Sequence, residues 1–224
     1  MKEAILISIK PEWCEKILNG EKTIEIRKKM PKCELPIDVY IYCTKDPKHL
    51  VAPFRFKQGW AYREYNDDTY YSRGCTVNVG EDINGKVVAK FTLNKVDEVI
   101  MPVDFTEENP RELSIINRSC LTGQELLNYL GGSAFKNFYA WHIDNLEIFD
   151  KPKELSEFKT PLFHCFNIKN VECVENVFGE YVFKHYENSF CKICKHIDDF
   201  GDCGKKGRKT LTKAPQSWCY VEVE

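Results

Sequence analysis

The sequence predicts an α+β fold, a small mixed, mainly antiparallel β-barrel with two or three flanking helices and a C-terminal extension. Three observations carry that expectation. Apolar residues alternate along several short runs, the period of strands with one buried face. Asn84-Gly85 lies between two such runs, and both residues tolerate the positive φ of a tight hairpin. Residues 10–19 and 122–132 instead carry helical spacing with a start and a stop signal. Five or six strands and two helices within about 150 residues fit a closed barrel.

Along the chain, Ile5, Ile7 and Ile9 alternate with Leu6, Ser8 and Lys10, a first strand with one fully apolar face. Pro11 suits a first helical turn, where its missing N–H is an orphan anyway. Trp13/Ile17 and Cys14/Leu18 pair at i, i+4, and Asn19-Gly20 closes the helix. Ile24 and Ile26 then alternate with Thr23, Glu25 and Arg27, which share one strand face at roughly 7 Å steps. Lys22 sits at the turn, where the pleat does not set its direction. This charged strand is either a solvated Glu–Arg ladder worth about 0–1 kcal/mol, or the edge of a mixed-charge pocket. Lys28, Lys29 and Lys32 form a basic, solvated turn.

Ile37, Val39, Ile41 and Cys43 mark the next strand, whose Tyr40/Tyr42 face covers the outside or lines a cleft. Residues 45–74 show little periodicity but interleave aromatics with bases, among them Trp60, Tyr62 and Arg63. That mixture either stacks on unpaired nucleic-acid bases or caps a barrel end. Cys75, Val77 and Val79, then Val87, Ala89, Phe91 and Leu93, flank the hairpin turn. A looser stretch runs through Pro110. Thr122 and Glu125 make a capping box ahead of Leu126, Leu127 and Leu130, with Gly131-Gly132 as the stop. Tyr139, Trp141 and Ile143 alternate with His142, which is a satisfied structural residue or a group that titrates near neutrality. Residues 145–149 supply a last strand, and residues 1–155 form the barrel domain. Residues 156–224 are the Cys-rich, basic extension, entered through a linker at 151–163 and packed back on the barrel by the run Ser217 to Val221.

At 224 residues, with 43% apolar and 13% aromatic content, the chain has ample material for a core and is not disordered. A net charge of −2 excludes a globally basic nucleic-acid magnet, so any such surface is local. No apolar run approaches the roughly 18 residues of a membrane span, and Ile5-Leu6-Ile7 lacks the length and cleavage site of a signal peptide. Eleven cysteines without an export signal read as reduced thiols and metal ligands in a cytoplasmic protein. Cys191-Lys192-Ile193-Cys194, Cys203 and Cys219 are compatible with tetrahedral zinc, with His196 as the alternative fourth ligand. Free thiols are the competing reading. Lys205, Lys206, Arg208, Lys209 and Lys213 form a basic run that is either a solvated loop or a phosphate contact.

Ser8-Ile9-Lys10-Pro11, followed by Gly20-Glu21-Lys22-Thr23-Ile24-Glu25-Ile26-Arg27, resembles the signature of the ASCH domain family, a branch of the PUA-like β-barrels. Tyr139-Ala140-Trp141-His142-Ile143 and the closing Pro215-Gln216-Ser217-Trp218 are similar to versions carried by prophages of Gram-positive bacteria. The resemblance implies a cleft beside the first helix that holds one nucleotide or modified base of RNA. Lys22 and Arg27 would meet phosphate or base oxygens, Glu25 would accept from an exocyclic amine, and aromatics would stack on the ring. The candidate ligand-binding residues are Lys10, Lys22, Thr23, Glu25, Arg27, Trp60, Arg63 and His142.

A second reading is enzymatic, with Lys22 and Glu25 catalytic. The family's small amidohydrolases act on N4-acetylcytidine through a strand lysine, helped by a threonine and a glutamate. Lys22 matches that lysine, but Glu25 stands where the threonine is expected, with Thr23 nearby. Other members imply a metal-independent ribonuclease. A third reading is a phage accessory domain that binds proteins. No cofactor is required beyond the structural zinc, and no membrane partner is expected.

Overall fold

In the computed structural model, which describes residues 2–56, 59–65, 77–78, 80–101, 109–132, 136–160, 171–175, 181–185 and 210–223, β1 (Lys2–Ile9) is an interior strand of the largest sheet. Its alternation sends Ile5, Ile7 and Ile9 into one apolar cluster. The opposite face is buried too, because Ala4 and Leu6 enter a second cluster with Tyr40, Tyr42 and Phe158. The Tyr40/Tyr42 face is therefore core, with Tyr40 edge-on to Phe158 at 5.1 Å. A sheet covered on both sides needs apolar residues at consecutive positions, which explains Ile5-Leu6-Ile7.

β3 (Ile37–Cys43) pairs parallel to β1, and β7 (Val87–Leu93) pairs antiparallel to β3. The Asn84-Gly85 turn precedes β7, and Gly85 takes φ +81°, but the expected hairpin does not form, because β7 pairs with β3 while Val77–Asn78 of the preceding run pairs with Leu50–Phe56. β10 (Asp144–Lys153) and β13 (Trp218–Val223) occupy the two edges of this five-stranded sheet, in the order β10-β7-β3-β1-β13. The segment expected to return to the first domain is thus β13, registered antiparallel to β1 with Leu6 opposite Cys219.

A second sheet has the order β2-β9-β8, from β2 (Ile24–Arg27), β9 (Asn137–His142) and β8 (Val96–Ile100). Ile24, Ile26 and Phe138 pack there against Ile115, Ile116 and Leu126 of α2 (Pro110–Ser119) and α3 (Gly123–Tyr129). The capping box of α3 is present, with Glu125 N–H donating to Thr122 Oγ1 at 3.2 Å and Thr122 N–H donating to Glu125 at 2.8 Å.

The stretch 45–74 is not all loop. It contains the hairpin of β4 (Leu50–Phe56) and β5 (Gly59–Tyr65), joined by β6 (Val77–Asn78) in a third sheet. Pro53 hides this strand in the sequence. It is tolerated because Tyr62 opposite it turns its N–H and C=O to the Asn19 amide, at 3.0 and 2.9 Å, and asks nothing of Pro53. Glu15 of α1 (Pro11–Leu18) and its C-cap Asn19 so close the open edge of β5, Glu15 accepting from Glu64 N–H at 3.0 Å. Cys75 and Val79 lie outside the described residues.

The fold is mixed α+β with three helices and mainly antiparallel pairing among the described residues. The strand pairings described form separate sheets, and no hydrogen-bonded ring runs through them. The chain divides into two compact units, Met1–Phe158 with Leu211–Glu224, and Lys159–Thr210. In the second, β11 (Val171–Glu175) pairs antiparallel with β12 (Tyr181–His185), and Lys159 bridges Thr210. Among the described residues no helix is long and apolar enough to cross a membrane.

Candidate functional site

The short path from α1 to β2 concentrates charge in one place. Pro11 opens α1, and Gly20 takes φ +76° just after its end, a conformation that suits glycine. The chain then turns into β2, whose alternation puts Glu25 and Arg27 on one face. Arg27 Nη2 lies 3.0 Å from Glu25 Oε1, and Lys22 Nζ lies 3.3 Å from Glu25 Oε2. Exposure of these side chains is 2% for Lys22, 11% for Glu25 and 9% for Arg27. This is a buried ion triad, and a solvated ladder is ruled out.

Each cation is anchored further. Lys22 donates to the Ser119 carbonyl at 2.7 Å, in the last turn of α2, where exposed carbonyls favour positive charge. Its ammonium also stands 5.4 Å from the centre of the Trp13 ring. Arg27 Nη2 donates to the Ser8 carbonyl at 2.8 Å, and Nη1 to Ser217 Oγ at 3.2 Å. The Ser217 segment is itself tied to β1, with Ser8 Oγ donating to the Pro215 carbonyl at 2.7 Å and Ser8 N–H to Ser217 O at 2.9 Å. Arg27 Nε is buried without a partner among the described residues.

Lys22, Glu25 and Arg27 line a hollow of about 620 Å³, within the 300–1,000 Å³ range of small-ligand sites. Trp13 of α1 and Tyr129 of α3 give it aromatic surface, and Gln216 lines it from the segment before β13. Tyr129 is 38% exposed and carries the Lys28 ammonium 4.9 Å from its ring centre. Burial pushes its hydroxyl up, opposed by Arg27 and reinforced by Glu25. Among the described residues the lining holds three cations (Lys10, Lys22, Arg27) and three carboxylates (Glu12, Glu25, Glu125), whose formal charges cancel. Glu125 is held below the usual carboxylate range by the N–H and then the hydroxyl of Thr122.

Four of the sequence-derived candidates, Lys10, Lys22, Glu25 and Arg27, therefore meet at one hollow. The other four do not line it. Thr23 turns its hydroxyl to Arg118 Nε at 3.1 Å. Trp60 stands 58% exposed on β5, edge-on to Tyr62. Arg63 pairs with Glu15 at 3.1 Å, and His142 Nε2 lies 2.7 Å from Asp97 Oδ2. Cys191, Cys194 and Cys203 lie outside the described residues, as do residues 205–209. Cys219 is half-buried on β13, its thiol pushed up by burial. Among the described residues no group of three His, Cys, Asp or Glu is placed to hold a metal.

Trp13, Tyr129 and the Ser8/Ser217 contacts were not singled out as site features from the sequence. The signals were there in part, because Trp13 sits on the predicted first helix and Pro215 to Ser217 belongs to the closing run that carries the resemblance.

The family model of the ASCH domain matches residues 7–199. The chain belongs to the ASCH domain family. A relative from Zymomonas mobilis subsp. mobilis, named ASCH domain-containing ribonuclease, is 36% identical over 63 residues, covering 28% of this chain and 37% of that protein. The chain thus matches little more than a third of that relative's length. Among solved structures, the crystal structure of ASCH from Zymomonas mobilis is 17% identical, covers 68% of this chain and 73% of that one, and gives a TM-score of 0.42. A point variant of that protein gives the same identity and TM-score, over 69% and 77%.

Around His142 the ASCH domain carries a second charged centre. Asp97 also meets Lys95 at 3.1 Å and Arg111 at 3.2 Å. Burial raises its carboxyl, but the bonds from His142 and Lys95 prevail and hold it below the usual value. The folded state therefore binds this proton later than the unfolded chain does. The stabilisation is complete above the unfolded value of about 3.9 and is lost as pH falls through the lower folded value. Denaturant melts at stepped pH should show stability dropping below about pH 4, with a flatter acid limb in Asp97→Asn.

Proposed function

We propose that this ASCH domain binds single-stranded RNA and takes one base into the hollow between α1, β2 and α3. The observation that carries the reading is the convergence of Lys22, Glu25 and Arg27 on a concavity flanked by Trp13 and Tyr129. Such a site offers hydrogen-bonding groups of both kinds beside aromatic surface, which recognition of an unpaired base uses. Lys10, 74% exposed in the lining, and Lys28, whose ammonium stands over the Tyr129 ring, supply phosphate contacts. Trp13 and Tyr129 here take the stacking role that the sequence offered to Trp60. In fluorescence anisotropy with labelled single-stranded RNA, Trp13→Ala and Tyr129→Ala should each lose about 1–3 kcal/mol of binding. Unchanged affinity in both removes the site.

The name of the Zymomonas mobilis relative favours strand cleavage as a second reading. Lys22 and Glu25 would then act on the 2′-hydroxyl and phosphate without a metal. Lys22→Met, with EDTA present, separates the two readings. RNA fragments that appear with the native chain and vanish with the variant make it an enzyme, and intact RNA makes it a reader. N4-acetylcytidine incubated in parallel tests the amidohydrolase reading.

We also propose a structural zinc at Cys191, Cys194 and Cys203, completed by His196. The support is the spacing alone. Elemental analysis of protein purified without a histidine tag should find one zinc per chain, and substoichiometric metal removes the proposal.

A further inference from the structure

We infer that the base taken into the hollow is of the uracil type, one whose edge presents an acceptor, a donor and an acceptor in a row. This rests on the RNA-binding reading above and narrows it to a class of base.

The floor of the hollow has an order. Lys22 sits on one oxygen of the Glu25 carboxylate and Arg27 on the other, at 3.3 and 3.0 Å. A ligand arriving at the floor therefore meets a donor, an acceptor and a donor. Counting hydrogens shows what each group has left. A lysine ammonium has three N–H bonds; one donates to Ser119 O, and the other two serve the Glu25 carboxylate at 3.3 Å, the Trp13 ring at 5.4 Å and an incoming ligand. Arg27 Nη2 donates to Ser8 O and lies 3.0 Å from Glu25 Oε1, whereas Nη1 gives one hydrogen to Ser217 and keeps another. Arg27 Nε is sealed and serves no ligand. Each Glu25 oxygen carries one cation and retains a further lone-pair site.

Uracil answers this pattern with O4, N3–H and O2. Cytosine presents a donor and two acceptors, so its N3 lone pair would face the Glu25 carboxylate. Adenine brings the same clash through N1. Guanine presents an acceptor and two donors, which turns its amine toward a cation. The burial of all three side chains makes such mismatches costly, because a polar group left unpaired there cannot turn to water instead.

Charge points the same way. The lining as a whole is neutral, so a phosphate gains no net attraction and would meet the buried Glu25 carboxylate. A neutral imide has no such penalty, and its two carbonyl oxygens suit a floor that carries two positive charges and one negative. Tyr129 and Trp13 accept any base, so they supply affinity without choosing among bases.

The test is anisotropy on the full chain with labelled oligouridylate, oligocytidylate and oligoadenylate of equal length, and with oligouridylate built from N3-methyluridine. Oligouridylate should bind at least about tenfold tighter than the other two, a gap of about 1.4 kcal/mol. N3-methylation, which removes the donor and adds bulk, should erase the advantage. Glu25→Gln replaces one acceptor oxygen with a donor and should collapse the preference; where that variant does not fold, the methylated oligonucleotide decides. Tyr129→Ala should weaken all the oligonucleotides by a similar factor and leave the ratio intact. Equal binding of oligouridylate and oligocytidylate, each weakened by Tyr129→Ala, overturns the base preference while the hollow remains the RNA site. Competition by inorganic phosphate as strong as by uridine also overturns it. RNA binding that is absent, or indifferent to both Tyr129→Ala and Trp13→Ala, sinks the RNA reading together with the preference.

Discussion

Glu25→Ala is expected to destabilise the fold by about 3–5 kcal/mol, the cost of leaving buried charges without their partner. Lys22 and Arg27 are 2% and 9% exposed, and Glu25 is the acid that both of them meet. Its removal leaves two largely buried cations close together without the acid between them. Neither can swing out, since Lys22 is held by Ser119 O and Arg27 by Ser8 O and Ser217 Oγ. Those anchors join β2 to α2, β1 and the segment before β13, so the strain spreads beyond one strand. Equilibrium urea denaturation followed by tryptophan fluorescence measures the loss. Lys22→Met should cost less, because the remaining Glu25–Arg27 pair still balances its own charge. Equal stability of Glu25→Ala and the native chain would show that the triad contributes nothing net. A less stable triple replacement of Lys22, Glu25 and Arg27 by apolar residues of similar size would show that the triad stabilises the native fold outright, which buried ion clusters often fail to do.

How much of this centre could be read from the chain depends on how far each partner lies in sequence. The alternation of residues 23–27 put Glu25 and Arg27 on one strand face, as observed. The strand period gives Lys22 no direction, because that is set by the end of α2, 97 residues away. That helix is faint in the sequence although Asn109-Pro110 is a start signal, since its buried side consists of little more than Ile115, Ile116 and Ser119. Arg27 finds Ser217 at a separation of 190 residues, and no local pattern encodes such a contact. Thr23 illustrates the opposite error. It shares the expected spacing with Glu25 and Arg27, yet it precedes β2, where the chain has not yet taken up the pleat, and its hydroxyl goes to Arg118. The ASCH signature located the hollow because it gathers residues whose common purpose is spatial. It did not name the aromatic walls, since Trp13 and Tyr129 owe their places to the packing of α1 and α3.

Trp141→Ala should cost about 3–5 kcal/mol, in the range of large-to-small changes at sealed aromatic positions. Trp141 is the bulkiest of the fully buried side chains, and it lies in β9 directly opposite Glu25 of β2. Its ring packs at 5.6 Å against Trp218 of β13, which follows Ser217 in the chain. Truncation therefore opens a cavity beneath the ion triad and loosens the segment that holds Arg27. Trp141 Nε1 is buried with no hydrogen-bond partner among the described residues, so part of what the native indole gains by burial is already offset. Trp141→Phe keeps a six-membered ring and discards that orphan donor, and should cost clearly less than Trp141→Ala because the cavity it leaves is smaller. Thermal and urea melts of the two variants give the comparison. A Phe variant as unstable as the Ala variant would mean that the indole nitrogen is satisfied in solution. If Trp141→Phe keeps its RNA affinity while Trp141→Ala loses it, the tryptophan serves the hollow by supporting its floor rather than by touching the ligand.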